Sequence, residues 1–350
     1  MHPADKVVVR LAIGMALAVL IAYGLALPMP FAACLMTVVL LCKPGPPIPF
    51  LKGVILCSVV GVLLVAGVLL VPVLEHYPVT GVLLTGALLY AVYFKGALSA
   101  NPLTVILVIA FTVIPVAGVA DQALVTALST AIAVGLGTGI LVGGVSHALF
   151  PDPAPAPGKA ATPAPVSREA AHWAALQATL VLMPVFVVAL TNPALYLAAI
   201  MKTGGLGQQA GATNAGSAGR ELVGSTLMGA AMALAVWLGL SLWPTLWMLM
   251  LWLTAATLWA GRRLVRIKAT ASPPSYWVNA LMTMLILLGP AIEDGAVGKD
   301  VVGASLTRVA LFLAAALYAW ATVWAFEAWR SRPLLSDRTR ASNPARADDV

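Results

Sequence analysis

Uninterrupted runs of apolar residues, broken only by brief clusters of charge, glycine or proline, occupy almost the whole chain. They fall near residues 8–27, 31–42, 54–74, 79–94, 102–120 and 123–149, and again near 171–190, 194–202, 222–242, 245–260, 275–291 and 301–327. A hydrocarbon core about 30 Å thick takes roughly 20 apolar residues per helical crossing. The pattern therefore predicts an all-α polytopic membrane protein of about twelve transmembrane helices in two sets of six. The second run of each set is short: residues 31–42 would reach only about 18 Å as a helix, and 194–202 less. Both follow prolines (Pro28 and Pro30; Pro193), and the latter runs into the polar stretch Thr203–Asn214. Short or interrupted segments at matching positions of two halves point to a transport site; a longer, tilted crossing is the alternative.

Composition agrees with a lipid solvent. Hydrophobic residues are 61% of the 350 and charged residues 9%, with a mean hydropathy of +0.97, a balance that a water-facing surface does not carry. The run beginning near Val7 has no small-residue cleavage pattern and reads as a retained first span. Net charge is +7, but the basic residues are scattered at span ends, which indicates topology and not nucleic acid. With the N-terminus inside, Lys6, Arg10, Lys43, Lys52, Lys95, Lys159, Arg168, Lys202, Arg220, Arg262, Arg263, Arg266, Lys268 and Arg330 all fall on the cytoplasmic side. The outer side holds Glu75, Asp121, Glu293, Asp294 and Asp300, with Lys299 the one basic exception. Both termini are thus expected in the cytoplasm of a bacterial inner (cytoplasmic) membrane protein.

Four segments follow: a first six-helix repeat (1–150), a Pro/Ala-rich cytoplasmic linker (151–169), a second repeat (170–330) and a polar tail (331–350) expected to be disordered. Matched residues support the duplication. Lys52, Gly61 and Lys95 lie 168 positions before Arg220, Gly229 and Arg263, and Asp121 lies 179 before Asp300. An even number of crossings per half places both halves in the same orientation, related by an axis along the membrane normal.

Few residues carry chemistry. Arg308, eight residues into the last span, costs about 2.5–3.5 kcal/mol to bury in lipid. It is a candidate to bind a carboxylate through its planar fork, or else an outward-snorkelling arginine or a structural partner of Asp300 or Glu293. Lys202, Gln208, Gln209, Thr213 and Asn214 follow the short eighth run and offer polar contacts to a solute, or form an ordinary loop. Asp121 and Asp300 open helices, where they cap backbone amides or carry protons for coupling. Lys52, Lys95, Arg220 and Arg263 form an anion-concentrating inner vestibule, or are topological anchors. His147 and His172 sit at the interface. Gly135, Gly139 and Gly143 make two overlapping GxxxG steps, a packing face within the chain or in a homo-oligomer. Cys34, Cys42 and Cys57 read as packing residues, and no metal-ligand spacing, phosphate loop or catalytic set is present. The expectation is no enzyme activity and no cofactor.

The Arg10-Leu-Ala-Ile-Gly14 entry into the first span, the short Pro-bounded turn, the Gly-bearing third span and the two six-span halves together resemble the fusaric acid resistance and aromatic acid exporter family, over residues 8–328. The resemblance implies proton-coupled efflux of small aromatic carboxylic anions, often beside a periplasmic adaptor (membrane fusion) protein. Larger members carry cytoplasmic domains after each half; this chain has the linker and tail in their place. The six-span unit also resembles that of plant malate channels. A passive anion channel is therefore one alternative to the exporter, and a non-transporting scaffold for a partner protein is another.

Overall fold

In a hydrocarbon layer no water satisfies free N–H and C=O groups, so a long apolar segment must bond within itself. The computed structural model, which describes residues 3–42, 47–99, 104–151, 167–210, 217, 219–296, 298 and 300–341, accordingly contains helices and no strand among those residues. They are α1 (Pro3–Gly24), α2 (Phe31–Leu41), α3 (Phe50–Val68), α4 (Val71–His76), α5 (Pro78–Ser99), α6 (Thr104–Ala120) and α7 (Gln122–Leu149). After the linker come α8 (Arg168–Thr191), α9 (Pro193–Ala210), a π-helical turn (Gly219–Val223), α10 (Gly224–Leu242), α11 (Leu246–Leu264), α12 (Pro274–Ala296) and α13 (Val301–Ala341). Among the described residues eight stretches are long and apolar enough to cross a membrane, α3 with α4 counting as one. The chain is a multi-pass, membrane-type helical protein.

Every apolar run coincides with a helix, but two boundaries differ from expectation. α2 is short, 11 residues or about 16 Å. α9 is not: it continues through the polar stretch to Ala210, 18 residues in all. Glycine and threonine have low helix propensity, yet here tertiary contact overrides it. The Thr203 hydroxyl returns to the Ala199 carbonyl at 2.7 Å, and Gly204 lies against Val108 of α6. As apolar stretches both remain short, Phe31–Leu41 and Leu195–Leu206, but the second is continued as helix by polar and glycine residues where the first stops. α13 remains helical to Ala341, beyond the point where a disordered tail was expected. Residues 152–166 of the linker lie outside the described residues, as do Lys43, Lys159 and Lys299.

Contacts between the segments before and after the linker come in pairs. α1 packs on α11 and α5 on α8; α6 packs on α9 and α12 on α2. α2 is buried along nearly its whole length, and α12 is the most deeply buried of the eight long stretches. The GxxxG face of α7 is filled from within the chain: a Cβ on Gly135 would meet the backbone of Ala32 and Ala33, and one on Gly139 the backbone of Met36 and Thr37. Small residues there let α2 lie against α7.

Gly61 and Gly229, matched in sequence, differ in surroundings. Gly229 lies against Thr283 and the Ala280 carbonyl of α12, whereas Gly61 faces open space. In the first segment the close approach is made by Gly67, where an added Cβ would sit 2.0 Å from the Ala110 carbonyl of α6. Gly67→Ala is expected to destabilise the fold by about 1–3 kcal/mol through overpacking, while Gly61→Ala leaves it unchanged. Thermal unfolding in detergent checks the contrast, and equal midpoints would refute it.

Candidate functional site

A hydroxyl inside a lipid-exposed bundle ordinarily bonds the carbonyl one turn back, and the buried threonines of this chain do so. Thr37, Thr85, Thr112, Thr138, Thr179, Thr226 and Thr257 each donate to the i−4 carbonyl at 2.6–2.9 Å. Against that background one cluster stands apart because its bonds run between helices. Lys202 of α9 is 2% exposed. Its Nζ donates to Asn279 Oδ1 at 2.6 Å and to Thr283 Oγ1, both on α12. Asn279 Nδ2 in turn donates to Ser225 Oγ of α10, which donates to the Glu221 carbonyl.

The local sequence explains each position. Asn279 and Thr283 are four apart, so they share a face of α12, and the Thr283 hydroxyl donates to the Asn279 carbonyl at 2.6 Å. Glu221 lies in the π-helical turn, a distortion that often marks functional sites, and the Glu221 and Leu222 carbonyls there accept from Ser225 and Thr226. At the end of the bundle the Glu221 carboxylate accepts from Ser275 Oγ at 3.4 Å, and Tyr276 OH donates to the Gly224 carbonyl at 3.1 Å.

Immediately beside Lys202, Met201, Gly204 and Gly205 line a cavity of about 20 Å³ together with Leu35 of α2, Val105 and Ile109 of α6, and Met282 and Ile286 of α12. That volume holds one water at most. The cavity lies at the meeting of α2 and α6 with α9 and α12, the seam between the segments before and after the linker. α6 and α12 each contain an internal proline, Pro115 and Pro290. Proline leaves the i−4 carbonyl without its helical donor, and for Pro290 that residue is Ile286, which lines the cavity. A larger space, about 560 Å³, opens at the other end of the second segment, lined by Tyr23, Trp237, Ser241, Thr245, Ile292 and Gly295 among others.

The remaining candidates are dispersed. Arg308 pairs with Asp294, not with Asp300 or Glu293: its Nη2 lies 2.7 Å from Asp294 Oδ2, the side chains 20% and 14% exposed. Arg308→Gln and Asp294→Asn are each expected to lower stability by about 1.5–3 kcal/mol. The double variant should lose no more than either single one, and additive losses in thermal unfolding would count against the pair. Asp121 and Asp300 are exposed caps, accepting from Ala123 N and Gly303 N at 3.0 Å. Lys52, Lys95 and Arg220 are exposed, on elements that do not form packed pairs with one another or with α11. Arg263 of α11 instead stacks on Trp259, 3.7 Å from the ring centroid, and faces Trp277 at 5.3 Å. Helix packing thus does not bring these four cations into contact with one another. The side chains of Gln208 and Gln209, and Thr213 and Asn214 altogether, lie outside the described residues.

The sequence places Lys202 at the end of the short eighth run, as a solute contact or part of an ordinary loop, and does not single out Asn279, Thr283 or Ser225. The available signal was the Asn279/Thr283 spacing inside an otherwise apolar span.

A family model described as "Protein of unknown function (DUF2955)" matches residues 8–145, the first segment only, and its description assigns no activity. No curated protein and no solved structure matches the chain.

Proposed function

We propose that the protein is a transmembrane transporter of small organic anions, working by exposing the Lys202 cluster alternately to the two sides of the membrane. One observation carries the reading: a lysine buried at the seam, hydrogen-bonded to neutral groups and, among the described residues, to no carboxylate. An ionisable side chain buried inside a membrane-type bundle is costly to keep and is a functional-site hypothesis by default; a cation with no carboxylate partner selects anions. Aromatic carboxylates, proton coupling and efflux from a bacterial inner membrane, beside a periplasmic adaptor, are what the exporter resemblance implies.

The paired contacts support a duplicated architecture of two six-helix repeats with both termini cytoplasmic. α1 on α11 corresponds to α8 on α5, and α6 on α9 to α12 on α2, as a two-fold axis through the seam requires. Such an axis suits rocking of one repeat against the other around a fixed site. The narrowness of the seam supports a carrier over an open pore. Flux of labelled aromatic and aliphatic carboxylates and sulfonates into proteoliposomes tests the reading. Saturable uptake of at least one anion above protein-free vesicles is expected, and its absence across the panel would overturn it.

A further inference from the structure

The Lys202 cluster also dictates the sense in which a proton would be coupled, an inference that rests on the transport reading above. A neutral amine has two N–H groups, and two acceptors meet Lys202 Nζ: Asn279 Oδ1 at 2.6 Å and Thr283 Oγ1. An ammonium has a third N–H and a full charge. Among the described residues neither a third acceptor nor a carboxylate answers them.

The described side chains of the elements packed on α9 bear this out. α6 carries no charged residue. On α8 the groups Arg168, Glu169 and His172 lie within its first five residues. On α12, Glu293 and Asp294 lie in the last four, more than two turns beyond Thr283, and Tyr276 bonds the Gly224 carbonyl. On α13, Arg308 is held by Asp294, Tyr318 donates to the Leu180 carbonyl, and Glu327 lies toward the opposite end, followed by Arg330, Arg332, Asp337, Arg338 and Arg340, whose side chains lie outside those described. In the π turn, Glu221 bonds Ser275, and Arg220 is exposed. Tyr93 of α5 donates to the Gly204 carbonyl at 3.3 Å. No charged group of α9 other than Lys202 is present.

A charge enclosed without a partner is strongly disfavoured. Two forms of the site therefore fit a closed seam: the amine with its two acceptors, or the ammonium with an anion beside it. We infer that the protein moves an anion and a proton together in the same direction, the proton travelling on Lys202 Nζ. At the loading face the amine takes up one proton and one anion, and at the other face it releases both. For a monovalent anion the step carries no net charge. An acidic exterior then drives uptake, and efflux runs on the substrate's own outward gradient, the opposite of proton–anion exchange.

Benzenesulfonate is the discriminating probe, because this strong acid cannot carry a proton itself. Wild-type proteoliposomes containing a pH dye, with membrane potential clamped, are expected to acidify inside as labelled benzenesulfonate enters, one proton with each anion, at a rate independent of the clamp. Lys202→Met should lose more than about 30-fold of this flux. Lys202→Arg, which keeps its cation but not a titrating amine, should retain anion–anion exchange and lose net proton-linked uptake; it carries the test if Lys202→Met does not elute as a folded species. Luminal alkalinisation, potential-driven flux without a pH change, or intact acidification in Lys202→Arg would each overturn the inference. Absence of flux for benzenesulfonate, toluenesulfonate and methanesulfonate with carboxylate flux intact would also overturn the inference, and absence across the carboxylates and sulfonates alike would instead overturn the transport reading itself.

Discussion

Asn279→Asp is expected to stabilise the protein while abolishing anion flux. The substitution replaces the Oδ1 atom that lies 2.6 Å from Lys202 Nζ with a carboxylate oxygen at similar volume, and it turns the Nδ2 donor to Ser225 into an acceptor, toward which the Ser225 hydroxyl can rotate from the Glu221 carbonyl. A fixed anion at that distance supplies the partner that Lys202 lacks, and close charge pairs of this kind couple by about 1.5–7 kcal/mol. The melting temperature should therefore rise. The same carboxylate occupies the place of the transported anion, so flux should fall by more than about 10-fold, which is the lower end of that coupling range. Opposite signs in the two measurements separate a binding lysine from a structural one. Were Lys202 only a helix-packing residue, stability would change and flux would not.

The second large effect concerns the seam. If transport requires the segments before and after the linker to move against each other, a covalent tie between them should stop it. Val108 of α6 and Gly204 of α9 suit such a tie, since a Cβ built on Gly204 lies 3.2 Å from Val108 Cγ1, within the range from which a disulfide forms with small adjustments. In a background with Cys34, Cys42 and Cys57 replaced, Val108→Cys with Gly204→Cys is expected to lose nearly all flux on oxidation and to recover it on reduction. Equal flux in the oxidised and reduced proteins, with the crosslink verified by mass, would exclude rocking at this interface.

Hydropathy alone placed the helices, because backbone hydrogen bonding in lipid leaves an apolar run of this length no alternative to a helix. It failed at α9. There a polar, glycine-rich stretch reads as the end of a span, and only packing of Gly204 on α6 and the Thr203–Ala199 bond continue the helix. With the run ending at Lys202, a solute contact and an ordinary loop residue are equally compatible with the sequence. Its true surroundings depend on Asn279 and Thr283, 77 and 81 residues away in the chain, and no local pattern reports a pairing at that distance. The i, i+4 spacing of those two residues was visible, but neither is ionisable and both were passed over. Arg308 shows the converse. Its depth was legible, and its partner Asp294 lies one helix earlier, where an outer-face acid was already recognised. The glycines illustrate a third limit: the 168-residue match between Gly61 and Gly229 is a fact of the sequence, whereas the close approach in the first segment uses Gly67 instead.

The central claim is that Lys202 forms an anion site at the seam, and the most direct measurement is equilibrium binding of labelled benzenesulfonate to the purified protein beside its Lys202→Met variant. Saturable binding to the wild type that is lost in a folded Lys202→Met protein is the predicted result. Binding of equal affinity in the two proteins would contradict it.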